Sequence, residues 1–103
     1  MSSAEASVSV VSVRAGAESI SLDWEPVIEA CRYRVYRSDA EDGTYFIMSN
    51  TTDCFFVDEN VEPGQTYFYK LLAFREINDP DTGDFIATIK SGYSEIVSAS
   101  LVY

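Results

Sequence analysis

The segment from Val61 to Ala73 places the strongest constraint on how this chain can fold. It opens with a turn at Pro63-Gly64, because proline presets φ and glycine adopts backbone conformations that other residues resist. A strand follows at once, with Tyr67, Tyr69, Leu71 and Ala73 on one face and Phe68, Lys70, Leu72 and Phe74 on the other. A tyrosine placed just after such a corner can pack its ring inward and bond its hydroxyl to the turn backbone. We therefore predict that Tyr67 is a structural latch and that the chain is built from strands.

Alternating apolar and polar residues recur along the rest of the chain. The clearest case is Ile20, Leu22 and Trp24, which alternate with polar residues until Pro26 ends the strand. We predict that Trp24 is a core ring between two sheets. Further strands are predicted at residues 7–13, 31–38, 44–49, 54–58, 85–89 and 93–102. About seven short strands with regularly spaced turns indicate an all-β, antiparallel two-sheet sandwich of the immunoglobulin-like class.

Three local features of these strands are also predicted. Val8 and Val10 occupy even positions, and the valines then continue at odd positions with Val11 and Val13. This shift in the alternation indicates a bulge in the first strand. Gly43 is expected to take a positive φ in a charged turn. The strand that follows the corner is expected to run to about Ile77, and residues 85–89 are expected to pair back on it as a hairpin arm standing off the sandwich.

Length and charge exclude several classes of protein. The chain has 103 residues and a net charge of −10, with no histidine. One domain is expected at this length, residues 7–103, preceded by a flexible lead at residues 1–6. The negative charge disfavours nucleic acid and anionic membrane surfaces. No apolar run is long enough to insert into a membrane, and the first twenty residues lack the pattern of a signal peptide.

Five motifs in order carry a resemblance to a known family. They are "ISLDWEPV", "CRYRVYRS", "GTYFIM", "FFVDENVEPGQTYFYKLLA" and "SGYSEIVSA". Together, from about Ser7 to Leu101, they resemble the fibronectin type III modules of bacterial secreted polysaccharide-degrading enzymes and cell-surface proteins. The resemblance implies an A-B-E sheet packed on a C′-C-F-G sheet, with Tyr67 at the tyrosine corner. The Arg-Gly-Asp tripeptide of some animal members is absent, so integrin adhesion is not implied.

The same resemblance implies a function outside catalysis. It implies an extracellular or cell-surface spacer, or accessory module, that orients neighbouring domains of a larger protein. The alternative is a recognition module that binds a protein or polysaccharide through the outer C′-C-F-G face and the F–G hairpin. The isolated domain is expected to be monomeric, without a cofactor. Enzyme activity is not expected, because no histidine is available as a base and the pairs Asp23–Glu25 and Asp58–Glu59 are expected to be solvated.

Two groups of residues leave alternatives open. Asp79, Asp81 and Asp84 have a spacing that loosely suits calcium, but Pro80 and the lack of a closing glutamate favour a simple hairpin turn. Cys31 and Cys54 are both placed on the inward parity of their strands. A disulfide across one end of the sandwich is one alternative, and the preferred alternative is two buried thiols that act as small apolar side chains.

The candidate interaction face lies on the outer side of the predicted C′-C-F-G sheet. Its members are Tyr36, Phe68, Leu72 and Phe74 with Arg32, Arg34 and Lys70, which are three of the seven basic residues of an acidic chain. Interface cores favour aromatic side chains mixed with arginine. The alternative is that these rings only suit an open sheet face and are covered by the Arg and Lys stems.

Overall fold

The computed structural model describes residue 8, residues 10–27 and residues 30–101. All the regular secondary structure in these ranges is β-strand. In chain order the strands are β1 (Val10–Ala15), β2 (Ile20–Trp24), β3 (Arg32–Ser38), β4 (Phe46–Thr51), β5 (Phe55–Asp58), β6 (Thr66–Asn78), β7 (Phe85–Lys90) and β8 (Val97–Ser100). The predicted lead at residues 1–6 lies outside the described residues. Across the described ranges, no helix is long and apolar enough to cross a membrane.

The strands form two antiparallel sheets. One has the order β1-β2-β5, and the other has the order β4-β3-β6-β7 with β8 also paired to β6. These orders confirm the predicted sandwich of an A-B-E sheet on a C′-C-F-G sheet, with β7 as the additional arm. The predicted bulge in the first strand is also confirmed, because the pairing of β1 with β2 shifts between Val10 and Ser12.

The core lies between the two sheets and follows the alternation of the sequence. Ile20, Leu22 and Trp24 of β2 are buried, and so are Tyr69 and Leu71 on the facing side of β6. Each fully buried side chain of this size stabilises the fold by roughly 1.5–3 kcal/mol. The other buried apolar side chains of this core are Val8, Tyr33, Val35, Tyr67, Ala73 and Leu101. Among the described residues, the indole Nε1 of Trp24 is a buried side-chain atom without a hydrogen-bond partner.

The corner before β6 has the geometry expected of a latch. Gly64 has a φ of 84°, which a residue with a side chain rarely adopts. The backbone amide of Glu62 donates a hydrogen bond to the hydroxyl of Tyr67, with an N–O distance of 2.9 Å. The ring of Tyr67 is buried. The tyrosine therefore ties the turn to the strand that follows it.

Gly43 is required for a different reason from the one predicted. Among the described glycines, positive φ values occur at Gly64 and Gly83, not at Gly43. A Cβ atom on Gly43 would instead lie 2.9 Å from the Ser38 hydroxyl and 3.1 Å from the Ala40 Cβ. The expectation of a positive φ is therefore wrong, and close packing of the turn against the end of β3 is what excludes a side chain.

Strands β7 and β8 both pair with the long strand β6, and the segment between them does not form a regular strand. The Leu71 amide donates to the Ser94 hydroxyl, and the Ala73 amide donates to the Ser91 hydroxyl, both at 2.9 Å. The amides of Ser91 and Ser94 donate back to the carbonyls of Ala73 and Leu71. Serine side chains thus replace strand carbonyls here, so the final strand begins at Val97 rather than at the predicted Tyr93.

The hairpin arm is confirmed by the pairing of β6 with β7 from Phe74–Lys90 to Asn78–Phe85. Among the described strands, β7 pairs with β6 alone, and the large side chains of Phe85 and Ile86 near the tip are exposed. The molecule accordingly has a long axis of 56 Å against 27 and 22 Å. The arm extends the sheet beyond the sandwich.

Candidate interaction face

Pairing between β3 and β6 builds the outer face of the second sheet. The register places Arg32 opposite Phe74, Arg34 opposite Leu72, Tyr36 opposite Lys70 and Ser38 opposite Phe68. Residues at alternate positions of a strand share a face, so all seven predicted residues lie on this side. They do not form one uniform surface, however, because the two ends of the face are organised in opposite ways.

One end, which we call the arginine half, consists of Arg32, Arg34, Leu72 and Phe74. The guanidinium carbons of Arg32 and Arg34 lie 4.9 and 4.8 Å from the centre of the Phe74 ring. Under these two groups Phe74 is only 4% exposed, and Leu72, which lies opposite Arg34, is only 3% exposed. The expectation that these two side chains offer open apolar surface is therefore wrong. The alternative, in which arginine and lysine stems cover the apolar side chains of this face, fits the Phe74 ring. Arginine stems can bury apolar area while their charged heads reach solvent.

Polar partners hold both guanidinium groups in place. The Arg34 Nε donates to the Asn50 Oδ1 at 2.8 Å. Arg32 Nη1 lies 3.4 Å from a carboxylate oxygen of Glu76, in a partly exposed ion pair. Such an ion pair contributes at most about 1 kcal/mol, so its main effect here is to orient the side chain over the Phe74 ring.

The other end, which we call the lysine half, consists of Lys70, Tyr36, Tyr45 and Tyr93. The Lys70 Nζ lies 4.4 Å from the centre of the Tyr45 ring and 4.0 Å from the centre of the Tyr93 ring. Tyr36 meets Tyr93 edge to face, with ring centres 5.8 Å apart. Tyr93 is 52% exposed, and Ile47 beside Tyr36 is exposed as well. This half presents aromatic surface to solvent.

Two members of the lysine half were missed in the sequence. Tyr45 precedes β4 and Tyr93 lies in the break between β7 and β8, although both were expected to be ordinary strand residues. Neither position is close to Lys70 along the chain. The only signal in the sequence is that both are tyrosines at the ends of predicted strands, so the pairing register was needed to bring them together.

A second cluster, also missed, lies between the sheets around Asp58. This carboxylate is only 1% exposed, so the expectation of a solvated Asp58 is wrong. Its Oδ2 accepts from the Tyr69 hydroxyl at 2.7 Å and from Arg37 Nη1 at 2.8 Å, and its Oδ1 accepts from the Asn60 amide at 3.1 Å. The sequence does contain a signal for this burial. Side chains alternate between the two faces of a strand, and Asp58 occupies an inward-facing position of β5.

The protonation states of this cluster follow from its burial. Burial, together with the hydrogen bond to Asp58, raises the pKa of Tyr69 well above its ordinary value, so this hydroxyl stays a donor. Burial by itself would lower the pKa of Arg37, but the bond to Asp58 raises it overall, so the guanidinium stays charged. A carboxylate that is closed from solvent and bonded on both oxygens suits a structural role.

The two cysteines are free thiols, one exposed and one half-buried. The exposed one is Cys31, so its predicted inward orientation is wrong. The strand β3 begins one residue later, at Arg32, and the Cys31 amide donates to the Phe74 carbonyl at 2.7 Å. Alternation within the strand therefore does not determine where this side chain points. Both alternatives, the bridge to Cys54 and the preferred pair of buried thiols, required Cys31 to point inward, so neither describes this residue.

The turn at the tip of the arm uses its own aspartate. The Asp79 carboxylate accepts from the amide of Asp81 at 2.7 Å, and more weakly from that of Thr82 at 3.3 Å. Gly83 has a φ of 79° and its amide donates to the Asp79 carbonyl. Within the part of the chain that the structure describes, no three acidic, histidine or cysteine side chains are grouped to hold a metal ion.

Comparisons with known proteins place this geometry in a wider context. No family model matches the sequence. The amylopullulanase of Thermoanaerobacterium thermosulfurigenes is 37% identical over 70 residues, which are 67% of this chain and 4% of that protein. The amylopullulanase of Thermoanaerobacterium saccharolyticum is 37% identical over 65 residues, 62% of this chain and 5% of that protein. The chain therefore matches only a small segment of these relatives.

Solved structures resemble the chain over almost its whole length. A Fn3-like protein from Clostridium thermocellum has a TM-score of 0.72 at 21% identity, covering 98% of this chain and 97% of that one. The sixth fibronectin type III domain of a human protein named for such domains has a TM-score of 0.72 at 17% identity, covering 98% and 89%. A β-1,2-glucanase from Parabacteroides distasonis has a TM-score of 0.71 at 25% identity, covering 96% of this chain but 13% of that one.

The strand order alone defines an immunoglobulin-like two-sheet sandwich. With the corner at Tyr67 and these structural neighbours, the assignment becomes narrower: the chain has the fibronectin type III fold. The resemblance carried by the five sequence motifs is confirmed at the level of the fold.

Proposed function

We propose that this chain is a non-catalytic accessory module of a larger secreted or cell-surface protein that acts on carbohydrate, and that it spaces and orients the neighbouring domains. The observation that carries the proposal is its 37% identity to a segment that forms only 4% of an amylopullulanase. A stretch of that size within a long enzyme suits an accessory module.

The path of the chain supports a role as a spacer. The pairing of Val10 with Trp24 sets the start of β1 at one end of the sandwich. The pairing of Ser100 with Thr66 sets the end of β8 beside the Pro63-Gly64 corner, at the other end. A chain that enters at one end and leaves at the other separates its neighbours by the length of the sandwich.

The experiment is an immunoblot of the source culture with antibodies raised against the isolated domain. We expect a band far above the 11.5 kDa of this chain, in the medium or the cell-wall fraction. A band at that mass confined to the cell interior would overturn both the modular and the extracellular parts of the proposal. Release of reducing sugar from pullulan or starch by the purified domain would overturn its non-catalytic part.

One observation favours the second candidate function, recognition of a partner by the outer face. It is the exposed aromatic surface of the lysine half. The arginine half does not support this function, since its apolar side chains are already covered.

A further inference from the structure

We propose that the lysine half binds an α-linked glucan, with Tyr93 and Tyr36 stacking on sugar rings and Lys70 donating hydrogen bonds to sugar hydroxyls. The choice of glucan rests on the proposed function in a carbohydrate-acting protein. The existence of a site rests on four features of the geometry: anchoring, exposure, an unpaired donor and the angle between rings.

Anchoring comes from the break between β7 and β8. Tyr93 lies between Ser91 and Ser94, whose hydroxyls accept from the Ala73 and Leu71 amides. A short segment tied at both sides holds its central ring in a defined place. A ring that is fixed before binding costs little ordering entropy when a ligand arrives.

Exposure and chemistry suit a sugar. Tyr93 is 52% exposed although its neighbours hold it in place. The face of an aromatic ring is electron-rich, and the C–H bonds on one side of a pyranose ring carry partial positive charge. Stacking of the two is therefore favourable, and it leaves the sugar hydroxyls at the rim of the ring, within reach of polar side chains.

Lys70 supplies the polar contact. The chain has seventeen acidic residues, yet within residues 8, 10–27 and 30–101 no carboxylate lies within ion-pair distance of Lys70. Its ammonium contacts the Tyr45 and Tyr93 rings instead. An ammonium group carries three donors, and aromatic faces do not accept them as strongly as oxygen does. Sugar hydroxyls are suitable acceptors.

The angle between the rings selects the shape of the ligand. Tyr36 and Tyr93 are inclined by 70°, so both cannot lie against one flat ribbon such as a β-1,4-linked glucan. An α-linked glucan curves, and its successive sugar rings face different directions. A neutral chain also avoids the repulsion that a net charge of −10 exerts on acidic polysaccharides.

The first test is a titration of the isotope-labelled domain with maltoheptaose, followed by the amide NMR shifts, with cellohexaose as a parallel arm. We expect shifts centred on Lys70, Tyr36 and Tyr93, and binding of maltoheptaose about tenfold tighter than that of cellohexaose. The proposal is overturned if no shift occurs at about 10 mM maltoheptaose, well above a millimolar dissociation constant. It is also overturned if the shifts map elsewhere, if cellohexaose binds equally well, or if the face binds a second copy instead.

The second test uses variants of one ring. Tyr93→Ala should weaken maltoheptaose binding about tenfold, as loss of one aromatic contact does, whereas Tyr93→Phe should stay within about twofold because the ring remains. Phe85→Ala, at an exposed aromatic on the hairpin arm, is the matched control and should bind normally. Equal binding by Tyr93→Ala would overturn the proposal. If that variant fails to fold, Tyr36→Ala replaces it with the same expectation and the same overturning result. Failure here leaves the spacer proposal standing, because the immunoblot tests that separately.

Discussion

The two faces of β6 are buried by different parts of the molecule. On the inner face, Tyr69 and Leu71 are covered by the opposite sheet and are wholly inaccessible. On the outer face, Leu72 and Phe74 are almost as inaccessible, but the side chains that cover Phe74 are arginines of the adjacent strand. Burial on a sheet face therefore does not require a second layer of backbone when long cationic side chains lie beside aromatic ones.

The outer face itself shows the same chemistry in two arrangements. In the arginine half the ring of Phe74 is central and two cations cover it. In the lysine half the cation of Lys70 is central, and Tyr45 and Tyr93 surround it. A covered ring offers nothing to a ligand, whereas Tyr93 in the lysine half is 52% exposed. The difference explains why we place stability in the first half and binding in the second.

The largest expected effect separates packing from binding on this face. The paired substitution Leu72→Thr with Phe74→Thr should cost about 4 kcal/mol or more, because both side chains are buried. That is a large share of the roughly 5–15 kcal/mol by which a domain is usually stable. The measurement is the free energy of unfolding in urea.

The matched pair Ile47→Thr with Tyr93→Thr, at exposed positions, should cost about 1 kcal/mol or less. Similar losses from the two pairs would show that the halves do not differ.

A smaller effect, seen only at high pH, probes the inner face. The pKa of Tyr69 is raised in the folded state by burial and by its bond to Asp58, so above about pH 10 the unfolded chain loses a proton that the folded chain keeps. The contribution of Tyr69 to the free energy of unfolding should therefore not change with pH below about pH 10. Above that pH, the free energy of unfolding should fall by up to about 1.4 kcal/mol per pH unit. The measurement is urea unfolding between neutral and strongly alkaline pH. Tyr69→Phe should flatten this slope, and an unchanged slope would show that the group does not contribute.

The smallest expected loss of stability concerns the Tyr67 hydroxyl, at the start of the inner face of β6. Tyr67→Phe keeps the buried ring but removes the acceptor of the Glu62 amide, so we expect a loss of about 1 kcal/mol in a urea melt. Tyr93→Phe, which removes an exposed hydroxyl, is the matched control and should change stability by no more than a few tenths of a kcal/mol. A loss that small for Tyr67→Phe as well would mean that the hydroxyl does not hold the corner.

The class of fold and the inward or outward facing of most strand residues could be predicted from the sequence pattern. Alternation in β2 and β6 identified the inward residues, and Pro63-Gly64 with Tyr67 located the corner. The length of the strand after the corner located the hairpin arm. These features depend on spacing along one segment, and the backbone geometry of a strand converts spacing directly into sidedness.

What covers each face of the sheet depends on contacts between segments that are distant along the chain, and the sequence pattern does not record these. Alternation placed Leu72 and Phe74 on the outside correctly, but the ring of Phe74 is covered by Arg32 and Arg34, which lie far from it along the chain. The placement of Cys31 depends on where β3 starts, and that of Tyr93 on serine hydroxyls that take the place of strand carbonyls. Exposure is a property of all neighbours in space, whereas periodicity records only neighbours along the chain. The exposed lysine half of the face therefore could not be distinguished from the covered arginine half by the sequence pattern.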